Sequence, residues 1–142
     1  MFKSILVAVD LADTTSPHLA LNAALDMARK FDGRIHLISV VPGFGESVVG
    51  QYFAADAEKK AVEETHQQLH AFAEEHIDAE LRDSCVVGNG SIYQEILDAA
   101  DRLEVDLIVI GSHRPAMKDY LVGPNAARVV RHAETNVLVV RY

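Results

Sequence analysis

Apolar residues fall along the chain in two alternating rhythms. Short runs that are apolar at nearly every position are separated by longer stretches in which apolar residues recur every three or four positions. Ser4–Asp10 (SILVAVD) is the first run, apolar on both faces as a strand buried within a parallel sheet requires. Leu19, Ala20, Ala23, Ala24, Met27 and Ala28 follow at helical spacing, with Ser16-Pro17 as cap and first-turn pair and Gly33 past the end. Arg34–Val41 (RIHLISVV) is the second strand, and the glycine-containing stretch Pro42–Gln51 reads as a loop. Phe53–His76 carries Val62, Thr65, Leu69 and Phe72 on one stripe, the pattern of a long amphipathic helix. A third strand falls within Ala79–Val87. Gly90-Ser91 then turns into a helix with Ile92, Ile96, Ala99 and Leu103 on one face. Asp106–Ile110 (DLIVI) is the fourth strand, a loop from Gly111 to Gly123 leads to a short helix near Asn125–Ala133, and Asn136–Arg141 (NVLVVR) is the fifth strand.

Strands alternating with helices predict an α/β fold: a single open, five-stranded, doubly wound parallel sheet with right-handed crossovers and helices on both faces. The expected strand order is 3-2-1-4-5. The first and fourth strands are then neighbours where the winding reverses, and ligands bind beyond the carboxyl ends of such strands, here Asp10 and Gly111. With no internal repeat, low-complexity segment or dividing linker, residues 1–142 read as one domain.

Composition narrows the function. Hydrophobic residues are 49% and charged residues 24% of the chain, an ordinary globular balance. The longest apolar runs, Ile5–Val9 and Leu107–Ile110, are too short to cross a bilayer, and no small-residue cleavage pattern follows the first. A lone Cys85 allows no intrachain disulfide, so the chain reads as cytoplasmic, with Cys85 an inert buried thiol. The net charge of −8 argues against nucleic acid or an anionic membrane as partner. From His113 to Tyr142, however, five basic residues face two acidic ones, net +3, leaving −11 for the rest. A basic segment on an acidic body suits a small anion.

Gly111–Asn125 (GSHRPAMKDYLVGPN) is the segment richest in candidate chemistry. Gly111 would let the backbone turn sharply at the end of a buried strand. Gly123 precedes a helix whose free N–H groups can cradle an anion, with Arg114 and Lys118 between them within reach of the same oxygens. Two glycines alone more often mean a plain turn and a plain helix cap. Asp10 has two readings as well: a ligand carboxylate at a strand end, or the cap of the turn at Leu11–Thr14. His66 and His70 are spaced i, i+4, a spacing that can hold a metal, but no carboxylate-histidine signature surrounds them and a solvated face is the expectation. His132, at a helix end, reads as packing or capping. No Ser-His-Asp or Cys-His arrangement and no Walker-type loop is visible.

Three segments together resemble the universal stress proteins, especially their F and G type: the N-terminal ILVAVD, GSIYQEIL at Gly90–Leu97, and IGSHRP…YLVGPNAARVVRHAETNVLVVR within Ile110–Arg141. The resemblance covers the whole chain. It implies an open five-stranded sheet of the adenine nucleotide alpha hydrolase-like kind, a homodimer, ATP binding in many members, and a role in survival under stress, usually without a settled catalytic activity. Carried onto this sequence, it implies adenosine contacts from Ala8, Val9 and Asp10, with Val40 or Val41 beside the base. Phosphates would lie against Gly111, Ser112, His113, Arg114, Gly123, Asn125 and Ala126. Magnesium is the companion ion expected with ATP phosphates, although no protein cage for it is visible.

The sequence departs from the wider family's nucleotide pattern of Gly, two residues, Gly, nine residues, then Gly and Ser or Thr. Arg114 replaces the second glycine, only eight residues separate it from Gly123, and Pro124 occupies the Ser/Thr position. Proline offers neither hydroxyl nor N–H, removing two donors to phosphate at once, but it suits the first position of a helix. The leading expectation is a non-catalytic, adenine-nucleotide-responsive stress protein. A nucleotide-independent interaction module with an unidentified protein partner is the alternative. A slow ATPase or adenylyl-transfer enzyme comes third, with no general base to name. The apolar Asn136–Arg141 strand lies at a sheet edge in the expected order, where an antiparallel partner strand would close a two-fold dimer.

Overall fold

All five strands pair in parallel into one sheet: β1 (Ser4–Ala8), β2 (Arg34–Val41), β3 (Arg82–Asn89), β4 (Leu107–Gly111) and β5 (Asn136–Val140), in the order β3-β2-β1-β4-β5. The structure is a computed structural model that describes residues 1–13, 18–41, 51–112 and 123–141, with 51–54 described by backbone alone. Four helices connect the strands: α1 (Leu19–Phe31), α2 (Gln51–His76), α3 (Ile92–Arg102) and α4 (Pro124–His132). The expected topology is the observed one.

Alternation along each strand divides the core in two. On one face Ile5, Val7, Ile35, Leu37, Leu107 and Val109 pack beneath α1 and α2; on the other, Leu6, Ile38, Ile108 and Ile110 pack beneath α3 and α4. The central strand shows why its sequence is apolar throughout. Ile5, Leu6 and Val7 are all 0% exposed, and each such side chain contributes about 1.5–3 kcal/mol by leaving water.

Several boundaries differ from the sequence reading for local reasons. The N–H groups of Leu81 and Arg82 both donate to the Asp78 carbonyl, so Ala79–Leu81 belong to a turn and β3 begins at Arg82. Gln51, read as loop, already opens α2; the remaining residues 42–50 of that loop lie outside the described residues, as does the expected Ser16-Pro17 cap of α1. The residue that ends α1 is Asp32 rather than glycine. It sits in the left-handed region (φ 58°, ψ 40°), and its N–H and that of Gly33 both donate to the Ala28 carbonyl. Gly33 is needed for a different reason: a Cβ there would collide with the carbonyl oxygen of Phe2.

Candidate functional site

The carboxyl ends of β1, β2 and β4 open onto a cavity of about 530 Å³. Its walls include Ala8, Val9 and Asp10 at the end of β1, Val40 and Val41 on β2, Gly111 and Ser112 at the end of β4, and Gly123, Asn125 and Ala126 at the start of α4. Ten of the twelve residues singled out in the sequence thus surround one space. The other two, His113 and Arg114, lie outside the described residues, as do Lys118 and the rest of the loop from 113 to 122.

The two expected glycines have different characters. Gly111 makes no sharp turn: it pairs with Val140 within β4, and Ser112 N–H extends the ladder by donating to the Val140 carbonyl (3.0 Å). The strand therefore runs one residue past the expected stop, because β5 still offers it partners. Gly123 is the N-cap of α4, with φ −62° and ψ 160°. Those angles are what the following proline imposes on any residue, so the backbone does not ask for glycine here. What glycine does leave is a cap without a side chain at the cavity wall. Pro124 follows at the first helical position, and Ala127 N–H donates to the Gly123 carbonyl (2.9 Å), so Asn125 and Ala126 are the helical residues whose N–H groups find no acceptor among the described residues.

Asp10 combines both roles considered for it. Its Oδ1 accepts a hydrogen bond from Ala12 N–H (3.0 Å), and its carbonyl accepts one from Asp13 N–H (3.2 Å), so it does fasten the turn. The side chain is nonetheless exposed on the cavity wall, and Oδ2 has no partner among the described residues.

Sequence reasoning missed part of the wall. Ser39 of β2, Thr65 and Gln68 of α2, and Ile92 and Ile96 of α3 also line the cavity. Thr65, on the apolar stripe of α2, is half-buried and borders the cavity rather than joining either core cluster. No spacing signal marks Gln68.

The remaining candidates sit elsewhere. The His66 and His70 rings stack at 4.9 Å on the exposed face of α2, and no group of three metal-ligating side chains occurs among the described residues. His132 is exposed at the end of α4, its ring 6.2 Å from that of Tyr93, over which the Arg128 guanidinium also lies. Cys85 is half-buried, with its thiol pKa pushed up by burial against a smaller opposing pull from Arg82.

One serine–histidine–aspartate cluster is invisible in the sequence. His36 shares hydrogen bonds with Ser84 Oγ through Nδ1 (2.6 Å) and with Ser4 Oγ through Nε2 (3.0 Å), and Asp83 Oδ2 lies 3.9 Å from Nε2. It spans three strands at the amino end of the sheet, opposite the cavity. A hydroxyl occupies each ring nitrogen, so no carboxylate orients the imidazole through Nδ1 as a catalytic triad requires. Burial pulls the His36 pKa below its ordinary value; Asp83 opposes that shift and Arg34 adds to it.

Comparison with known proteins agrees with this architecture. The model of the universal stress protein family matches residues 1–141. Universal stress protein G of Shigella flexneri is 35% identical over 144 residues, covering 99% of this chain and 100% of its own. Universal stress protein UspA from Lactobacillus plantarum has a similar structure, with a TM-score of 0.74 at 25% identity over 99% of this chain and 98% of that one. A universal stress protein in complex with cAMP shares the fold at 18% identity, with a TM-score of 0.64 over 99% of this chain and 97% of that one. A sheet wound in this order, matched over nearly its whole length by that family and its G-type relatives, places the chain in the universal stress protein family.

Proposed function

We propose that this universal stress protein binds ATP or a related adenine nucleotide in the cavity at the carboxyl end of the sheet and carries the resulting change in shape or charge to a partner, without catalysis of its own. The observation that carries this reading is the convergence of β1, β4 and the bare N-cap of α4 on one cavity. Its volume, about 530 Å³, falls in the range of small-molecule sites. The donor set suits the ligand. Asn125 and Ala126 N–H groups at the positive end of α4 fit phosphate oxygens, Asp10 Oδ2 fits a ribose or base donor, and Val40 and Val41 offer an apolar surface to a ring. Magnesium would accompany the phosphates rather than occupy a protein cage. The solved relative in complex with cAMP adds support of the same kind.

The protein acts in this reading as a homodimer. Among the described residues β5 pairs only with β4, and Val137, Leu138, Val139 and Val140 are half-buried, so a second β5 would complete the edge. Pro124 favours the second reading, a nucleotide-independent interaction module, because it removes one N–H from the anion-binding turn. Calorimetric titration with ATP, ADP and AMP, with and without magnesium, separates the two. Saturable binding supports the first reading, and absence of heat at millimolar ligand supports the second. Light scattering coupled to gel filtration tests the dimer.

A further inference from the structure

We infer that Ser39, Thr65 and Gln68 form a neutral hydrogen-bonding subsite, on the α2 side of the cavity, that reads the uncharged ring of the bound nucleotide. The inference rests on the nucleotide reading above and assigns a part of the cavity that this reading leaves without a task.

Ser39 is an anomaly in its strand. It continues the face of Ile35 and Leu37 under α1 and α2, and its register partner on β3 is the apolar Val87. The residue is only 7% exposed, yet its hydroxyl has no hydrogen-bond partner among the described residues. Nor is that oxygen sealed in the core, since the Nε of Arg82 is the only sealed, unpartnered side-chain atom among the described residues. An apolar residue would pack this face of the sheet better, so the hydroxyl has no task within the fold itself. The hydroxyl opens instead onto the cavity that Ser39 lines.

Thr65 and Gln68 border the same cavity from α2. They are three positions apart, neighbours on one edge of the helix, and neither side chain has a partner among the described residues. One buried, one half-buried and one exposed polar side chain, Ser39, Thr65 and Gln68, thus border a single space from β2 and α2. None is charged, and each can both donate and accept. That chemistry is poor for phosphate, which α4 serves at the other end, and good for a heterocycle whose edge alternates donors and acceptors. Val40, Val41 and Ile92 supply apolar surface for the ring itself.

The test measures binding of ATP and adenosine by calorimetry, and of inorganic tripolyphosphate by displacement of a fluorescent ATP analogue, for the unmodified protein and for Ser39→Ala, Thr65→Val and Gln68→Ala. Each variant is expected to weaken ATP and adenosine roughly three- to tenfold, the effect of one neutral hydrogen bond, and to leave tripolyphosphate unchanged. Ser39→Ala is also expected to melt close to the unmodified protein's temperature without ligand, because the hydroxyl it removes faces the cavity and bonds nothing in the fold. If ATP binds but the variants match the unmodified protein, the subsite is overturned while the nucleotide reading stands. Equal weakening of tripolyphosphate also overturns the subsite. If the unmodified protein binds no ATP, both fall.

Discussion

The polar groups at the amino end of the sheet and several of those on the cavity wall at its carboxyl end are treated in opposite ways. At the amino end, polar groups are occupied with one another. His36 sits between two serine hydroxyls, Asp106 accepts the N–H groups of Lys3 (3.0 Å) and Ser4 (3.1 Å), and Thr135 and Asn136 donate to the carbonyls of Val105 and Asp106. Arg82 Nε is the exception. At the carboxyl end, Ser39, Thr65, Gln68 and Asp10 Oδ2 surround a cavity with no partners among the described residues. Ser39 is buried and Thr65 half-buried, whereas Gln68 and Asp10 are exposed, so Ser39 carries most of the contrast, because buried polar groups are normally satisfied. Under the proposed function, the contrast separates polarity that fastens the fold from polarity that would meet the nucleotide.

Substitutions at the two ends should accordingly separate binding from stability. The largest effect is expected from Gly123→Val. Its backbone angles accept valine, but the new side chain enters the cavity beside the α4 donors, so ATP binding should vanish at millimolar ligand while circular dichroism stays native. His36→Ala should do the reverse. Losing a buried side chain and stranding two hydroxyls should lower stability by about 2–4 kcal/mol in urea unfolding, with ATP affinity unchanged in the folded protein. Asp106→Ala should cost about 1–3 kcal/mol, again without touching binding, because two backbone N–H groups lose a charged acceptor.

Acid should weaken the amino end in two stages. The folded pKa of His36 is lowered, so its contribution is full above the unfolded value of about 6.5 and is lost as pH falls through the folded value, where the imidazole must charge. For Asp106, partial burial alone would raise the pKa, but hydrogen bonds from backbone N–H groups outweigh it. Its contribution is present above the ordinary carboxyl value and lost as pH falls through the lowered one. Urea unfolding across this range should show both losses, and His36→Ala should remove the first. The smallest effect is expected from Pro124→Ser, which restores an N–H and a hydroxyl at the first turn of α4. ATP should bind up to about tenfold more tightly, with little change in melting temperature.

Much of this contrast is legible in the sequence, though unevenly. β2 matches its expected span, and the strand order follows from the alternation of elements, because buried parallel strands and amphipathic helices leave periodic marks. The β1, β4 and α4 ends of the cavity are equally legible, since glycines and a strand-end aspartate are local signals. Ser39, Thr65 and Gln68 are not: a single polar residue in an apolar strand and two polar residues on a long helix acquire meaning only when β2 and α2 pack together. The His36 cluster is hidden for the same reason, its members being brought together by strand register across the sheet. Gly33 shows a further limit, because its need for close approach to Phe2 depends on a neighbour 31 positions away.

The most direct measurement is a two-dimensional amide NMR titration of the isotopically labelled protein with ATP. The account predicts saturable shifts at the N–H groups of Gly123, Asn125 and Ala126, with those of His36, Ser84 and Asp106 left in place. Shifts confined to the amino end of the sheet, or none at saturating ATP, would contradict it.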